Sequence, residues 1–124
     1  MCVVRVSLLR GRSPQELSIL SKAIDDALVE SYAMESGDTF QVFEQLDASE
    51  FVFDRHFKVG PRSDGFLMLN IVGGPKPDEV KRAFYRRLVD LLGERANVRP
   101  EDLFVGLQEA PGINWSFGLG TSLL

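Results

Sequence analysis

The sequence has little cysteine and histidine, with one residue of each among its 124 residues. Because a disulfide needs two cysteines, Cys2 cannot form one within the chain, and a reducing compartment is the default expectation. Cys2 and His56 are also too few to build a zinc or iron site. We therefore expect a cytoplasmic protein without a metal.

Long apolar runs and an excess of positive charge are also lacking. No stretch approaches the roughly 20 apolar residues of a membrane span, and the N-terminus has neither the basic nor the apolar region of a secretory signal. Lys and Arg number 14 against 18 Asp and Glu, without long runs, which argues against a nucleic-acid surface or a polybasic membrane anchor. With 44% hydrophobic residues and nine Phe, residues 1–124 are sufficient for a single domain with a buried core.

The N-terminal segment predicts a strand, a tight turn and the start of a helix. An aliphatic run favours a strand over residues 3–9, and Gly11 ends it. Ser13 to Glu16 is a capping box, in which the two side chains satisfy N–H groups of the first helical turn. Arg12 lies at this junction, where the helix N-terminus and a guanidinium together favour a carboxylate. The alternative is that Arg12 is a solvated turn residue.

The rest of the chain predicts a second helix and three further strands. Apolar residues at helical spacing follow the capping box, and Thr39 to Leu46 alternates as a strand does. Residues 47–64 are predicted to form a connector with a short strand at residues 51–53 or 57–59, whose aromatic residues pack against the domain. Gly65 to Val72 is almost continuously apolar, which predicts a strand buried on both faces. A second amphipathic helix then leads to a fourth strand, Leu103 to Gln108.

When the two halves of the chain are compared at an offset of 64 residues, residues of similar chemical type coincide. The aligned pairs are Arg12 and Lys76, Asp38 and Asp102, and Phe40 and Phe104. We therefore predict an α+β fold of two fused β-α-β units, about residues 2–46 and 66–109, with four parallel and antiparallel strands in one mixed sheet and both helices on one face. Because the other face then needs cover, we expect an oligomer of identical chains.

Four segments carry a resemblance to a known family. They are the opening strand, residues 11–16, Gly37-Asp38-Thr39-Phe40-Gln41, and residues 101–118, where Asn114-Trp115-Ser116-Phe117-Gly118 is the most specific part. They resemble the tautomerase superfamily, in particular its longer members near malonate semialdehyde decarboxylase and cis-3-chloroacrylic acid dehalogenase. The resemblance implies a β-α-β-β-α-β subunit, a homotrimer, and a small carboxylate or keto-acid substrate with no cofactor.

The first residue after the initiator Met departs from that superfamily. Its members begin, after Met removal, with a catalytic proline, whereas this chain has Cys2 there. If Met1 is removed, the Cys2 amine can act as a general base, because the pKa of an α-amine is about 7.7–8.0, and the thiol is a second candidate nucleophile. If Met1 stays, the amine is displaced from the site. The alternative is that Cys2 is a small buried strand residue without a chemical role.

The resemblance also carries over residues from the rest of the chain. Asp38 matches an acidic residue that helps to activate water in the decarboxylase relatives, although a turn residue before a strand is an equal interpretation. Arg12 matches an arginine that binds a substrate carboxylate in the short tautomerases. Lys76 lies in the turn where the decarboxylase has two arginines, and it keeps the charge without the bidentate fork. Trp115 and Phe117 match residues that form the apolar wall of the pocket. Without the resemblance they would be interpreted as packing residues.

These inferences combine into one predicted function with alternatives. We predict a homotrimeric tautomerase-superfamily protein that promotes keto–enol proton transfer on a small 2-oxo acid, with weak or altered activity because the proline is replaced. The predicted catalytic residues are Cys2 and Asp38, and the predicted substrate-binding residues are Arg12, Lys76, Trp115 and Phe117. The alternatives are a decarboxylase- or dehalogenase-type hydratase, a non-catalytic trimer that binds a metabolite or a protein, and, if the resemblance fails, a ferredoxin-like binding module.

Overall fold

The computed structural model describes residues 1–122 and contains four strands and two long helices within them. The strands are β1 (Cys2–Leu9), β2 (Thr39–Leu46), β3 (Leu67–Gly73) and β4 (Leu103–Glu109), and the helices are α1 (Pro14–Ser31) and α2 (Asp78–Ala96). Neither helix, nor any other in this part of the chain, has the length and apolar character needed to cross a membrane.

The four strands form one mixed sheet in the order β2-β1-β3-β4. β1 runs parallel to β2, and β3 runs parallel to β4, as expected when a helix connects each pair. The central pair, β1 and β3, is antiparallel, with Val6 opposite Leu69. The predicted architecture of two β-α-β units in one mixed sheet is therefore confirmed.

One face of the sheet packs against both helices, as predicted. Even-numbered residues of β1 and odd-numbered residues of β3 are buried on this face because side chains alternate along a strand. The helices contribute their apolar stripes to the same core. The fully buried aliphatic and aromatic residues include Val4, Val6, Leu8, Leu20, Ile24, Leu28, Leu69, Phe84 and Leu88.

The opposite face, which we call the open face, is covered by no α-helix within residues 1–122 and is only partly covered by the segments that flank the sheet. β3 was predicted to be buried on both faces, and this prediction is wrong for the single chain, since Asn70 on the open face is exposed. The open face nevertheless carries large apolar side chains. Phe40 is 65% exposed, and Val42 and Phe104 are about 40% exposed. Such a face is typical of a surface that another chain covers.

The connector between β2 and β3 packs on the domain as predicted, but it contains no strand within residues 47–66. Side-chain contacts hold it instead. Phe51 and Phe66 are buried with their rings stacked 5.9 Å apart, and Arg55 donates to Asp64 at 2.8 Å. The connector also reaches the sheet, because the Phe66 ring meets the Phe104 ring of β4 edge-on at 6.3 Å, so ring contacts take the place of the predicted strand pairing.

Corresponding elements of the two halves begin at a constant spacing. The helices begin at Pro14 and Asp78, and the outer strands begin at Thr39 and Leu103, so each pair is 64 residues apart. Because β1 and β3 are antiparallel, the start of β1 lies beside the end of β3 at one end of the sheet. We call this the Cys2 end and the opposite one the Leu9 end.

Candidate active site

The Cys2 end brings together residues that are distant in sequence. Cys2 pairs with Thr39 of β2 and with Gly73 of β3, so the turn before β2 and the turn after β3 both lie beside it. Asp38 belongs to the first turn and Lys76 to the second. The Cys2 backbone nitrogen donates a hydrogen bond to the Asp38 carbonyl oxygen at 3.1 Å.

The Cys2 side chain is buried in a sulfur-rich environment. Only 1% of the residue is exposed, and its Sγ lies 3.8 Å from Met34 Sδ. The N-terminal ammonium of Met1 contacts the same Met34 sulfur at 3.3 Å. A Cβ on Gly73 would come within 2.9 Å of the Cys2 sulfur, so the glycine provides the space for the thiol. Sequence reasoning missed Met34, because a contact from a loop 32 residues away leaves no local pattern.

Opposing effects act on the pKa of the Cys2 thiol. Burial raises the pKa, and the nearby Asp38 carboxylate raises it a little further, whereas the N-terminal ammonium and Lys76 lower it. Burial dominates, so the pKa lies above the usual range of a cysteine. At neutral pH the side chain is therefore a thiol and not a reactive thiolate.

Tyr32 and Lys76 lie next to this group. The Lys76 Nζ stands 5.6 Å from the centroid of the Tyr32 ring, a cation–π arrangement. Burial raises the pKa of the Tyr32 phenol to about 12, with smaller contributions from Cys2 and Glu109. Lys76 is half-buried. Its ammonium therefore lies near the Tyr32 ring and is also accessible to solvent.

A cavity of about 260 Å³ opens at this end. Its lining residues are Met1, Cys2, Val3, Phe40, Trp115, Ser116 and Phe117. The Trp115 and Phe117 rings stack 5.6 Å apart, and the indole N–H donates to the Ala110 carbonyl at 3.0 Å, which orients the indole. Phe40 was not named as a site residue, although its alternation in β2 could have placed it on the same face as Val3. The cavity offers an aromatic wall beside the first residues of the chain.

Arg12 lies at the Leu9 end, away from this cavity. Its Nη2 donates to the Gly65 carbonyl at 3.3 Å, and burial lowers its pKa although Glu16 and Asp102 oppose the shift. The eight residues of β1 separate Arg12 from Cys2, which is more than about 20 Å of extended chain. Of the six residues named from the sequence, Cys2, Asp38, Lys76, Trp115 and Phe117 therefore gather at one end, and Arg12 does not.

Metal ligands do not converge at this cavity. Within residues 1–122 no three His, Cys, Asp or Glu side chains form a group that could hold a metal ion. The chemistry available at the Cys2 end is therefore that of an amine or thiol, a carboxylate, an ammonium and aromatic rings.

The fold and the cavity define a subunit of two β-α-β units with a candidate site at the start of the first strand. Two family profiles match the chain, each described as "Tautomerase enzyme", one over residues 38–118 and the other over residues 3–59. The chain belongs to the tautomerase family, and the resemblance seen in the sequence is confirmed.

Relatives cover nearly the whole chain. "Probable tautomerase YusQ" of Bacillus subtilis (strain 168) is 31% identical over 121 residues, covering 97% of this chain and 95% of that protein. A crystal structure of malonate semialdehyde decarboxylase, described as a basis for its decarboxylase and hydratase activities, matches with a TM-score of 0.91 and 27% identity over 96% of this chain and 92% of that one. A symmetric trimer of fused 4-OT has a TM-score of 0.78 at 18% identity, over 98% and 95% of the two chains, and shows a shared fold alone.

Proposed function

We propose that this protein is a cytoplasmic homotrimer that catalyses keto–enol proton transfer on a small 2-oxo carboxylic acid, with lower or altered activity because Cys2 replaces proline. One observation carries the proposal. The start of β1 lines a cavity with aromatic walls, and Asp38 and Lys76 lie within electrostatic reach of Cys2. The kinship with the tautomerase family supports the reaction class.

The proposed acid–base group is the Cys2 amine after removal of Met1. The Cys2 nitrogen already bonds to the Asp38 carbonyl at 3.1 Å, so the freed amine would be held in the same position. Starting from the enol, the C=C π electrons take a proton from the ammonium to form a C–H bond, the O–H bond electrons form the C=O π bond, and the hydroxyl proton returns to the amine. The net change moves one hydrogen from oxygen to carbon, and the amine is regenerated.

The remaining residues of the site have separate proposed roles. Lys76 attracts the substrate carboxylate and favours the developing enolate, as a point charge without the bidentate geometry of arginine. Asp38 is exposed and orients water or the substrate. Trp115, Phe117 and Phe40 exclude water, which strengthens the electrostatic interactions in the cavity.

The homotrimer is proposed from the open face. Phe40, Val42 and Phe104 are large apolar residues that solvent reaches in the single chain. The fused 4-OT structure, which shares the fold, is a symmetric trimer. Since Arg12 lies at the opposite end of the sheet, we propose that it acts on the Cys2 cavity from a second copy of the chain. This requires that the cavity be shared between subunits.

The test combines intact mass with ketonisation of phenylenolpyruvate by the same sample. We expect Met1 to be absent, wild-type protein to turn over, and Cys2→Pro to turn over faster because a proline amine is more basic. Lys76→Met should reduce kcat/KM about tenfold or more. Lys22→Met, which removes an exposed lysine of α1, is the matched control and should leave the rate unchanged. Arg12→Ala should reduce the rate if the cavity is shared.

Two results would overturn the proposal. One is retention of Met1 together with an inert wild type, which would leave no free amine at Cys2. The other is a wild-type rate that neither Lys76→Met nor Cys2→Pro changes. An inert protein that gains activity in Cys2→Pro would instead favour the alternative of a non-catalytic trimer that binds a metabolite or a protein.

A second candidate function is decarboxylation or hydration of a small acid. The similarity to malonate semialdehyde decarboxylase, with a TM-score of 0.91, and the presence of Asp38 beside the cavity favour it. In decarboxylation of a 3-oxo acid the C–C bond breaks, carbon dioxide leaves, and the resulting enolate takes a proton. Carbon dioxide release from malonate semialdehyde, faster than its uncatalysed decay and lost in Asp38→Asn, would support this function over tautomerisation.

A further inference from the structure

A second cavity lies at the Leu9 end of the sheet, outside the site described above. Its volume is about 220 Å³. The lining residues include Val52, Phe53, Phe57, Arg62, Phe66 and Phe104. We call it the Arg62 cavity. Half of its eight lining residues are phenylalanines, and a cavity of about 150 Å³ already accommodates a benzene ring, so this one has space for an arene with a short side chain.

The Arg62 cavity is the counterpart of the Cys2 cavity in the other half of the chain. The 64-residue spacing that relates the two halves also relates their linings. The corresponding pairs are Cys2 and Phe66, Phe40 and Phe104, Ser116 and Val52, and Phe117 and Phe53. Phe66 offers neither an amine nor a thiol where Cys2 stands in the first half. The second cavity therefore has the shape of a binding site without the group proposed to transfer protons.

Arg62 places a guanidinium beside this cavity, and one of its hydrogen-bond donors has no partner among residues 1–122. The residue is only 8% exposed, and its guanidinium lies 5.6 Å from the centroid of the Phe66 ring. Its Nη1 donates to the Asp54 carbonyl oxygen at 2.9 Å, but its buried Nε has no partner among residues 1–122. The ion pairs formed in this part of the chain do not include Arg62. Burying a guanidinium that has no ion-pair partner costs free energy. An anion that accepts hydrogen bonds from the guanidinium would offset this free-energy cost.

The carboxylates nearby are already engaged. Asp54, which also lines the cavity, accepts N–H groups of His56 at 2.8 Å and of Phe57, and these bonds lower the pKa of its carboxyl. Asp64 accepts from Arg55 at 2.8 Å. Arg62 contributes weakly to the lowered pKa of the Asp54 carboxyl, but within residues 1–122 it forms an ion pair with neither carboxylate, so its guanidinium can still bind an anionic ligand.

We infer that the Arg62 cavity binds a small arene carboxylate. The arene ring packs among Phe53, Phe57 and Phe66, and the carboxylate accepts from the Arg62 guanidinium. Arginine suits this role because its planar fork matches a carboxylate and because it stacks on aromatic rings. The inference does not depend on the reaction proposed at the Cys2 end, since it concerns binding at the opposite end of the sheet.

The test is a titration of the whole chain with 3-phenylpropionate, followed by NMR shifts of the backbone amides. We expect saturable shifts at residues 52–57 and 62–66, separate from any shift of the Trp115 indole N–H, which reports on the Cys2 cavity. Arg62→Met should weaken binding at residues 52–66 about tenfold or more. Arg86→Met, the matched change at an exposed position of α2 outside both cavities, should leave that binding unaltered.

A second variant and a second probe keep the inference testable if Arg62→Met fails to fold. Phe57→Ala removes a 58% exposed ring of the cavity wall and should weaken binding several-fold. The uncharged 3-phenylpropanol should bind much more weakly than the acid. The inference is wrong if wild type shows no saturable shift at residues 52–66, if the alcohol binds as tightly as the acid, or if a folded Arg62→Met binds normally. It is also wrong if Phe57→Ala dissociates the oligomer, because the cavity is then a contact between copies.

Discussion

The Cys2 backbone nitrogen and the Asp38 carbonyl oxygen are joined by a hydrogen bond of 3.1 Å, which ties the first residue of β1 to the turn before β2. This bond uses the main chain and not the thiol. The position of the nitrogen is therefore set by this main-chain bond for any residue except proline, whose nitrogen has no N–H while Met1 is attached. The side chain of the residue after Met1 instead affects the pKa of the freed amine, and it determines how completely the space beside Gly73 is filled.

From this relationship we expect Cys2→Ala to separate the amine from the thiol. Alanine keeps a primary amine in the same place, so ketonisation should stay within about threefold of wild type if the amine transfers the proton. The lost contact with Met34 should lower the free energy of unfolding by about 1 kcal/mol, measured by urea denaturation. Loss of turnover by about a hundredfold in a folded variant with Met1 removed would identify the thiol as the reacting group.

Tyr32 should make the protein less stable at alkaline pH. Its pKa is raised from 10.0 to about 12 by burial in the folded protein. Between those pH values the unfolded chain has lost the phenol proton while the folded chain keeps it. The unfolded state then binds fewer protons, and the free energy of unfolding falls as the pH rises.

The measurement is urea denaturation of wild type and Tyr32→Phe at pH 9, 10 and 11. The variant should show a shallower decline above pH 10, because phenylalanine has no proton to release. Tyr85→Phe is the control, since Tyr85 is 39% exposed, and it should follow wild type. Identical slopes for wild type and Tyr32→Phe would contradict the assignment.

The proposed trimer predicts that a charge on the open face dissociates the protein. Val42 is 41% exposed on that face, and Val42→Asp would place a carboxylate in a covered apolar interface. Sedimentation equilibrium should show a trimer for wild type and a smaller species for the variant. Ile19→Asp, at a 43% exposed position of α1, should leave the trimer intact. A wild-type monomer would refute the trimer directly.

The capping box of α1 predicts a stability effect that is local to that helix. Ser13 Oγ accepts the Glu16 N–H at 3.2 Å, and the Glu16 carboxylate accepts the Ser13 N–H at 3.1 Å. Ser13→Ala should lower the free energy of unfolding by about 1 kcal/mol in urea. Ser18→Ala changes an exposed serine inside the helix and should change stability by less than about 0.5 kcal/mol. Equal effects of the two changes would show that the cap has no special role.

Local patterns were sufficient to predict most of the fold. Thr39–Leu46 was predicted with its observed bounds, and the start of α1 followed from the capping box. The predicted strand in the connector was wrong because aromatic content there reflects contacts such as that between Phe51 and Phe66, which are tertiary. A run of apolar residues also could not tell whether the second face of β3 is covered by the same chain or by another.

The candidate site residues were named from the sequence, but their grouping was not. Trp115 and Phe117 line the cavity with Cys2, whereas Asp38 and Lys76 lie at the same end without lining it, and the roles of all of them stay predictions. Arg12 was predicted at the same pocket, yet it lies at the Leu9 end. The 64-residue repeat made Arg12 and Lys76 equivalent, and the antiparallel pairing of β1 with β3 places equivalent residues at opposite ends of the sheet.

By itself, the sequence determined the type and order of the elements, because hydrophobic periodicity and capping are properties of neighbouring residues. The kinship with tautomerases came from the resemblance of four segments to that family. Only the tertiary structure decided which residues share an end of the sheet, how deeply the Cys2 thiol is buried against Met34, and that Arg62 lines a second cavity without forming an ion pair in the described part of the chain. These features depend on strand register and on contacts between distant segments, which no local pattern contains.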